Sequence, residues 1–144
     1  MIIIIGILSA IASSSFLNIV RKAKEAEPTL KINGANKIQT NYYSENGEFS
    51  RDIADLELPD ETKNYVYYVP DKISFFPIPP DLSIIIGIPK DEQLRYFVGV
   101  IYIKNDATYY QRLCKVYEDE YLFLFFMLIP VSYTHLTLPT TKLV

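Results

Sequence analysis

"MIIIIGILSAIASSSFLNIV", Met1 to Val20, carries no charged side chain, and its only polar ones belong to Ser9, Ser13, Ser14, Ser15 and Asn18. About 20 helical residues rise roughly 30 Å, the thickness of a bilayer's hydrocarbon core, so the segment is long enough to span one. Such a run is cut off, left in lipid, or buried against copies of itself. A secretory signal peptide needs a basic start, a shorter apolar run and a small-residue cleavage site. Here Met1 is followed directly by isoleucines, although Ala10, Ala12 and Ser13 mimic a cleavage site. The expected anchoring and packing residues are Ile2, Ile3, Ile4, Ile5, Ile7, Leu8, Ile11, Phe16, Leu17, Ile19 and Val20, with Gly6 as a point where a helix loosens or approaches another closely.

The helical pattern continues past Val20. Phe16, Ile19, Ala23, Ala26 and Leu30 recur at steps of three and four, and Gly34, Ile38 and Tyr42 extend the stripe. One helix is therefore predicted from Met1 to about Tyr43, with this stripe facing the body of the protein. Arg21, Lys22, Lys24, Glu25, Lys31 and Lys37 lie off the stripe. Pro28 removes one backbone hydrogen bond and crowds the carbonyl of Lys24, which predicts a bend. Gly47 follows the last turn, where a left-handed residue commonly ends a helix. Gly34 is expected to let a strand come close.

The remainder reads as strands. Tyr65–Val69 is short and aromatic, Leu82–Ile88 is a continuous apolar run, and Arg95–Ile103 leads through a turn at Lys104–Asp106 into Ala107–Val116. Phe76 to Asp81, "FPIPPD", is predicted to be a loop outside any sheet interior. With 12 Tyr and 8 Phe but no Trp, the chain has the aromatic content of strands whose outer faces meet water or a partner. The fold class is α+β: one long helix across an antiparallel sheet of three or four strands. At 144 residues this is one domain's worth of chain.

"IIIIGILSAIASSSFLNIVRKAKEAE" resembles the N-terminal helix of type IV pilins. "NYYSENGEF", Asn41 to Phe49, resembles the helix-to-loop junction of cyanobacterial-style major pilins and the pilin-like G and H proteins. "NYVYYV" and "RYFVGVIYIKNDATYYQRLCKV" are similar to the strands that close that group's sheet. The resemblance covers roughly Met1 to Val116. It implies a non-enzymatic structural subunit with no cofactor, whose residues 1–20 first hold it in the bacterial inner membrane and later pack in a filament core. Residues 21–117 would form the head, in the periplasm before assembly and on an extracellular pilus afterwards. The implied partners are sister pilin subunits, inner-membrane lipid and the pilus assembly machinery. Alternatives are a minor pseudopilin of a type II secretion filament, a single-span anchored binding domain unrelated to filaments, and an exported soluble module.

Two departures from the family pattern stand out. The basic leader, the glycine cleavage site, the aromatic first residue and the early glutamate are all missing, so the sequence reads as truncated at its start. Ser13, Ser14 and Ser15 stand where family members place a proline; serine hydroxyls bond back to carbonyls one turn earlier and bend a helix slightly. At the other end, "YLFLFFMLIP", Tyr121 to Pro130, is too short to span. "VSYTHLTLPTTKLV" has neither helical nor strand rhythm, and residues 118–144 are read as a tail of non-native sequence, most clearly from Val131.

The charge balance, 14 Lys and Arg against 17 Asp and Glu, leaves a net −3 and excludes the basic footprint of a nucleic-acid binder. Cys114 is the only cysteine, so no intramolecular disulfide forms, and on a strand it reads as a small packed hydrophobe. His135 lies in the tail and carries no expected role. The acidic runs Asp52–Glu61 and Glu118–Glu120 lack the ordered spacing of a calcium loop and read as solvated faces. The tyrosines of "YVYYV" and "YFVGVIY" read first as packing and second as a patch for glycan or a neighbouring subunit. Arg21, Lys22 and Lys24 directly after the apolar run favour a cytoplasmic body by flanking charge, opposite to the pilin orientation.

Overall fold

The computed structural model describes residues 2–73, 76–104 and 107–116. One helix, α1, runs unbroken over Ile2–Asn46, three residues beyond the predicted end. Gly47 terminates it in the left-handed region at φ 76°, donating its N–H to the Tyr43 carbonyl at 2.8 Å. A short 3-10 turn at Ala54–Leu56 follows. Among the described residues six strands come next: β1 (Tyr65–Tyr68), β2 (Lys72–Ile73), β3 (Phe76–Pro77), β4 (Leu82–Pro89), β5 (Tyr96–Ile103) and β6 (Tyr109–Val116). The main sheet has the order β1-β4-β5-β6, every pair antiparallel. β2 and β3 form a separate two-stranded hairpin, so Phe76 and Pro77 stay outside the main sheet yet pair with Lys72 and Ile73. The fold is α+β, with the head half of α1 laid on one face of the sheet.

Strand alternation divides the core in two. Tyr65, Tyr67, Ile85 and Phe97 point toward α1 and pack with Ile32, Ala35, Leu56, Leu58 and Leu94. Ile84, Ile86 and Val98 point to the opposite face and join Ile78 and Leu82. The run Leu82–Gly87 is therefore buried on both sides, which is why it shows no polar alternation.

The side of α1 that meets the sheet differs from the predicted one. Glu25, Pro28, Ile32, Ala35, Asn36 and Gln39 are the buried positions. Ala23, Ala26, Leu30 and Gly34 are exposed, and Ile38 and Tyr42 are only half-buried at the flank. The stripe read from the sequence is a genuine helical face, but it points away from the sheet. Glu25 and Gln39 take the inner face because each finds a partner, whereas the Asn36 amide is buried with no hydrogen-bond partner among the described residues. The Gln39 side chain donates to the Ser50 carbonyl at 2.8 Å and the Ser83 hydroxyl at 2.9 Å, and accepts from the Ser50 N–H at 2.9 Å. A buried amide so bonded loses little on leaving water.

The close approach expected at Gly34 occurs elsewhere. A Cβ on Gly34 would meet nothing within 4 Å. A Cβ on Gly99 in β5 would collide with the Ile32 side chain and lie 3.3 Å from Asn36 Nδ2. Gly99 is the position that lets α1 settle on the sheet.

Candidate functional site

The residues expected to anchor and pack all lie on the first half of α1, and most of those whose side chains are described are exposed. Ile2, Ile3, Ile4, Ile5, Ile7 and Leu8 are 87% to 57% exposed, and Phe16, Leu17 and Ile19 are 64–65% exposed. Val20 is half-buried, and Gly6 is exposed with open space around it. Ile11 belongs to the same helix, with its side chain outside the described set. Continuous apolar surface on this scale does not persist in water, since burying each such side chain is worth roughly 1.5–3 kcal/mol. An 18-residue window of this helix has mean hydropathy 2.1, long and apolar enough to cross a membrane. Ser9 is accommodated because its hydroxyl donates to the Ile5 carbonyl at 2.8 Å.

Where the exposed shaft ends, a polar clamp begins. Arg95, just before β5, donates through Nε to Glu25 Oε1 at 3.1 Å and through a terminal nitrogen to Oε2 at 3.1 Å. The Glu25 side chain is 5% exposed and that of Arg95 17%, so the fork of two charge-assisted bonds is largely desolvated. Two residues further along the helix, Glu27 accepts from Asn64 through Oε2 at 2.9 Å, and the Tyr67 hydroxyl makes a longer contact with its Oε1 at 3.4 Å. The Tyr65 hydroxyl donates to the Arg95 carbonyl at 3.1 Å. Lys24 and Asp91, half-exposed at 3.6 Å, add a weak outer pair. Together these contacts hold α1 against the sheet where the exposed shaft begins. Sequence reading placed Glu25 off the contact stripe and missed Arg95 altogether, because the two are 70 positions apart.

Burial, with the Glu25 and Glu27 carboxylates nearby, pushes the Tyr65 and Tyr67 phenols well above their usual value of about 10. The folded state therefore favours the neutral phenols. Their contribution to stability is complete below pH of about 10 and is lost as pH rises above it. In an alkaline titration of the full chain in detergent, two tyrosines should stay protonated until the head unfolds. All twelve ionising in a single wave around pH 10 with the fold intact would contradict this placement.

The remaining candidates resolve differently. Cys114 is half-buried beside Val98, and burial raises its thiol above the ordinary range, opposite to what a reactive thiolate requires. Of the tyrosine clusters, Tyr65 and Tyr67 point inward, Tyr68 is 52% exposed, and Tyr102 stacks on Tyr110 with ring centres 5.3 Å apart. Among the described residues no group of three or more His, Cys, Asp or Glu is placed to hold a metal ion. Glu118–Glu120, His135 and the rest of the tail lie outside the described residues.

No curated protein and no solved structure matches the chain significantly. The family profile for type IV pilin-like G and H proteins matches residues 25–120. The match opens at Glu25, the residue through which Arg95 clamps the helix, and runs through the whole sheet. The apolar shaft before it is not covered by the match and stands on its own physical reading. Long helix, antiparallel sheet and matched segment coincide over most of the sequence, and the chain belongs to the type IV pilin-like G and H family, a structural one.

Proposed function

We propose that the chain is a structural subunit of a type IV pilus or pilus-like filament, held in the bacterial inner membrane by residues 2–20 before assembly. The observation that carries this reading is the shaft itself. None of the described residues in its hydrophobic window is buried inside the fold, while the head has a packed core of its own. A helix of that kind is stable in two settings only, lipid and a bundle of like helices. The same residues serve both in turn: Ile2 to Leu8, Ile11, Phe16, Leu17, Ile19 and Val20 face acyl chains first and sister subunits afterwards. The head starts in the periplasm and ends on the extracellular pilus. The partners are inner-membrane lipid, other copies of the subunit and the assembly machinery that moves it between them.

Immunogold electron microscopy of cells bearing an epitope-tagged copy tests the proposal. Label along surface filaments is expected, and deletion of the gene should remove it. Label along their whole length marks a major subunit, and label at the tips alone a minor one. A tagged chain that stays in the membrane fraction, with no labelled filament under conditions where the cells are piliated, would overturn it.

A further inference from the structure

The outward face of α1 and the loop after it carry opposite charge. Between Arg21 and Ser44 the exposed positions of the helix include Lys22, Lys31 and Lys37 but no carboxylate, since Glu25 is buried and Glu27 is half-buried and bonded. Among the described residues no ion pair within the chain engages these three lysines. Centred between them is the stripe Ala23, Ala26, Leu30 and Gly34, with Leu30 74% exposed. It continues the line of Phe16 and Ile19 from the shaft onto the head.

The segment from Glu48 to Asp60 has the complementary character. It presents Glu48, Asp52, Asp55, Glu57 and Asp60, all exposed. Its one cation, Arg51, is turned inward, donating to the Ile78 and Pro79 carbonyls at 3.2 and 2.7 Å. Beside it is an open hollow of about 460 Å³ lined by Ile53, Tyr67, Tyr68 and Val69 together with Asp52, Asp60 and Arg51 itself, two carboxylates to one guanidinium. An apolar side chain flanked by lysines suits a hollow with an apolar lining and a net negative set of charged groups.

We propose that Leu30 of one copy seats in the hollow lined by Ile53, Tyr68 and Val69 of a second copy, with Lys31 and Lys37 facing Asp52 and Asp60. The two surfaces are different patches of one chain, and the contact is heterologous in that the first copy's own hollow takes Leu30 from a third copy and not from the second. A heterologous contact whose rotation does not close propagates as an open helix, not as a dimer. The inference rests on the filament reading and deepens it: the shaft supplies cohesion, and this contact between heads supplies register. Because its charges are exposed, it should weaken with ionic strength.

The test is cross-linking of sheared filaments from cells that produce the full chain as a Leu30→Cys/Tyr68→Cys/Cys114→Ser variant, using a short bis-maleimide. A ladder of dimers, trimers and higher species is expected. Leu30→Cys alone and Tyr68→Cys alone, each with Cys114→Ser, should stay monomeric. Filaments that form but give no ladder, or Leu30→Cys alone giving dimers, would overturn the contact while leaving the filament reading intact. Absence of filaments from the unsubstituted chain would instead remove that reading. Should the cysteine pair block assembly, charge exchange decides. Lys31→Glu/Lys37→Glu should lower filament yield at least tenfold, and adding Asp52→Lys/Asp60→Lys should restore it; no rescue would count against the contact.

Discussion

Phe16→Asp is expected to abolish filament formation while leaving both membrane insertion and the head intact. Phe16 is 64% exposed and lies nine positions before Glu25, the start of the clamp, so the head does not depend on it. In the membrane, a carboxylate here is only five residues from Arg21. At about 1.5 Å per residue it sits within reach of the headgroups, and the uncharged run from Ile2 to Ser15 still inserts. In a helix bundle there is no such exit. Losing the buried ring costs roughly 1.5 kcal/mol or more, and placing aspartate among apolar neighbours adds about 2.5. About 4 kcal/mol per subunit corresponds to a fall of nearly three orders of magnitude in the polymerisation constant. Phe16→Leu should assemble almost normally. Filament yield after shearing, set against the amount of chain in the membrane fraction, checks both arms. Normal filaments from the aspartate variant would show that this part of the shaft does not pack against neighbours.

Arg95→Ala should be the most damaging single change within the head. It leaves the Glu25 carboxylate, 5% exposed, without the fork that satisfies both of its oxygens. Removing one member of a buried pair typically costs about 3–5 kcal/mol, against a total stability of roughly 5–15 for a domain of this kind. The loss should show as rapid proteolysis and as fast amide exchange in α1 near Glu25 and in β5 for the full chain in detergent. Replacing both partners with apolar residues of similar volume, Glu25→Leu with Arg95→Met, should recover most of it, because no uncompensated charge then remains. Equal damage from the single and double changes would mean that packing by the Arg95 stem, not its charge, secures the junction.

Much of the architecture was legible in the residues because single elements carry strong signals. The apolar run Leu82–Ile88, with Ile84–Ile86 at its centre, reads as a strand, and the structure places it inside the sheet between β1 and β5. Gly47 marks the helix end through its backbone freedom. The inner face of α1 was not legible. Hydrophobic period gives the angle of a stripe but not what it faces, and the apolar stripe through Ala26 and Leu30 is turned away from the sheet. The true inner face contains Glu25, Asn36 and Gln39, residue types ordinarily assigned to solvent. Two of them are inside because distant segments return to bond them, Arg95 to Glu25 and Ser50 with Ser83 to Gln39. For the shaft, composition announces a need for apolar surroundings without saying which kind. A lone copy of the chain shows the exposed surface but not its eventual cover.

The most direct measurement is the fate of the purified full chain when detergent is withdrawn in the presence of liposomes. Flotation should carry the chain with the vesicles, with residues 2–20 protected from amide exchange and the head still folded. A monodisperse monomer left in the aqueous phase, with those residues ordered and protected inside their own fold, would contradict the claim that this helix has only lipid and sister helices as stable surroundings.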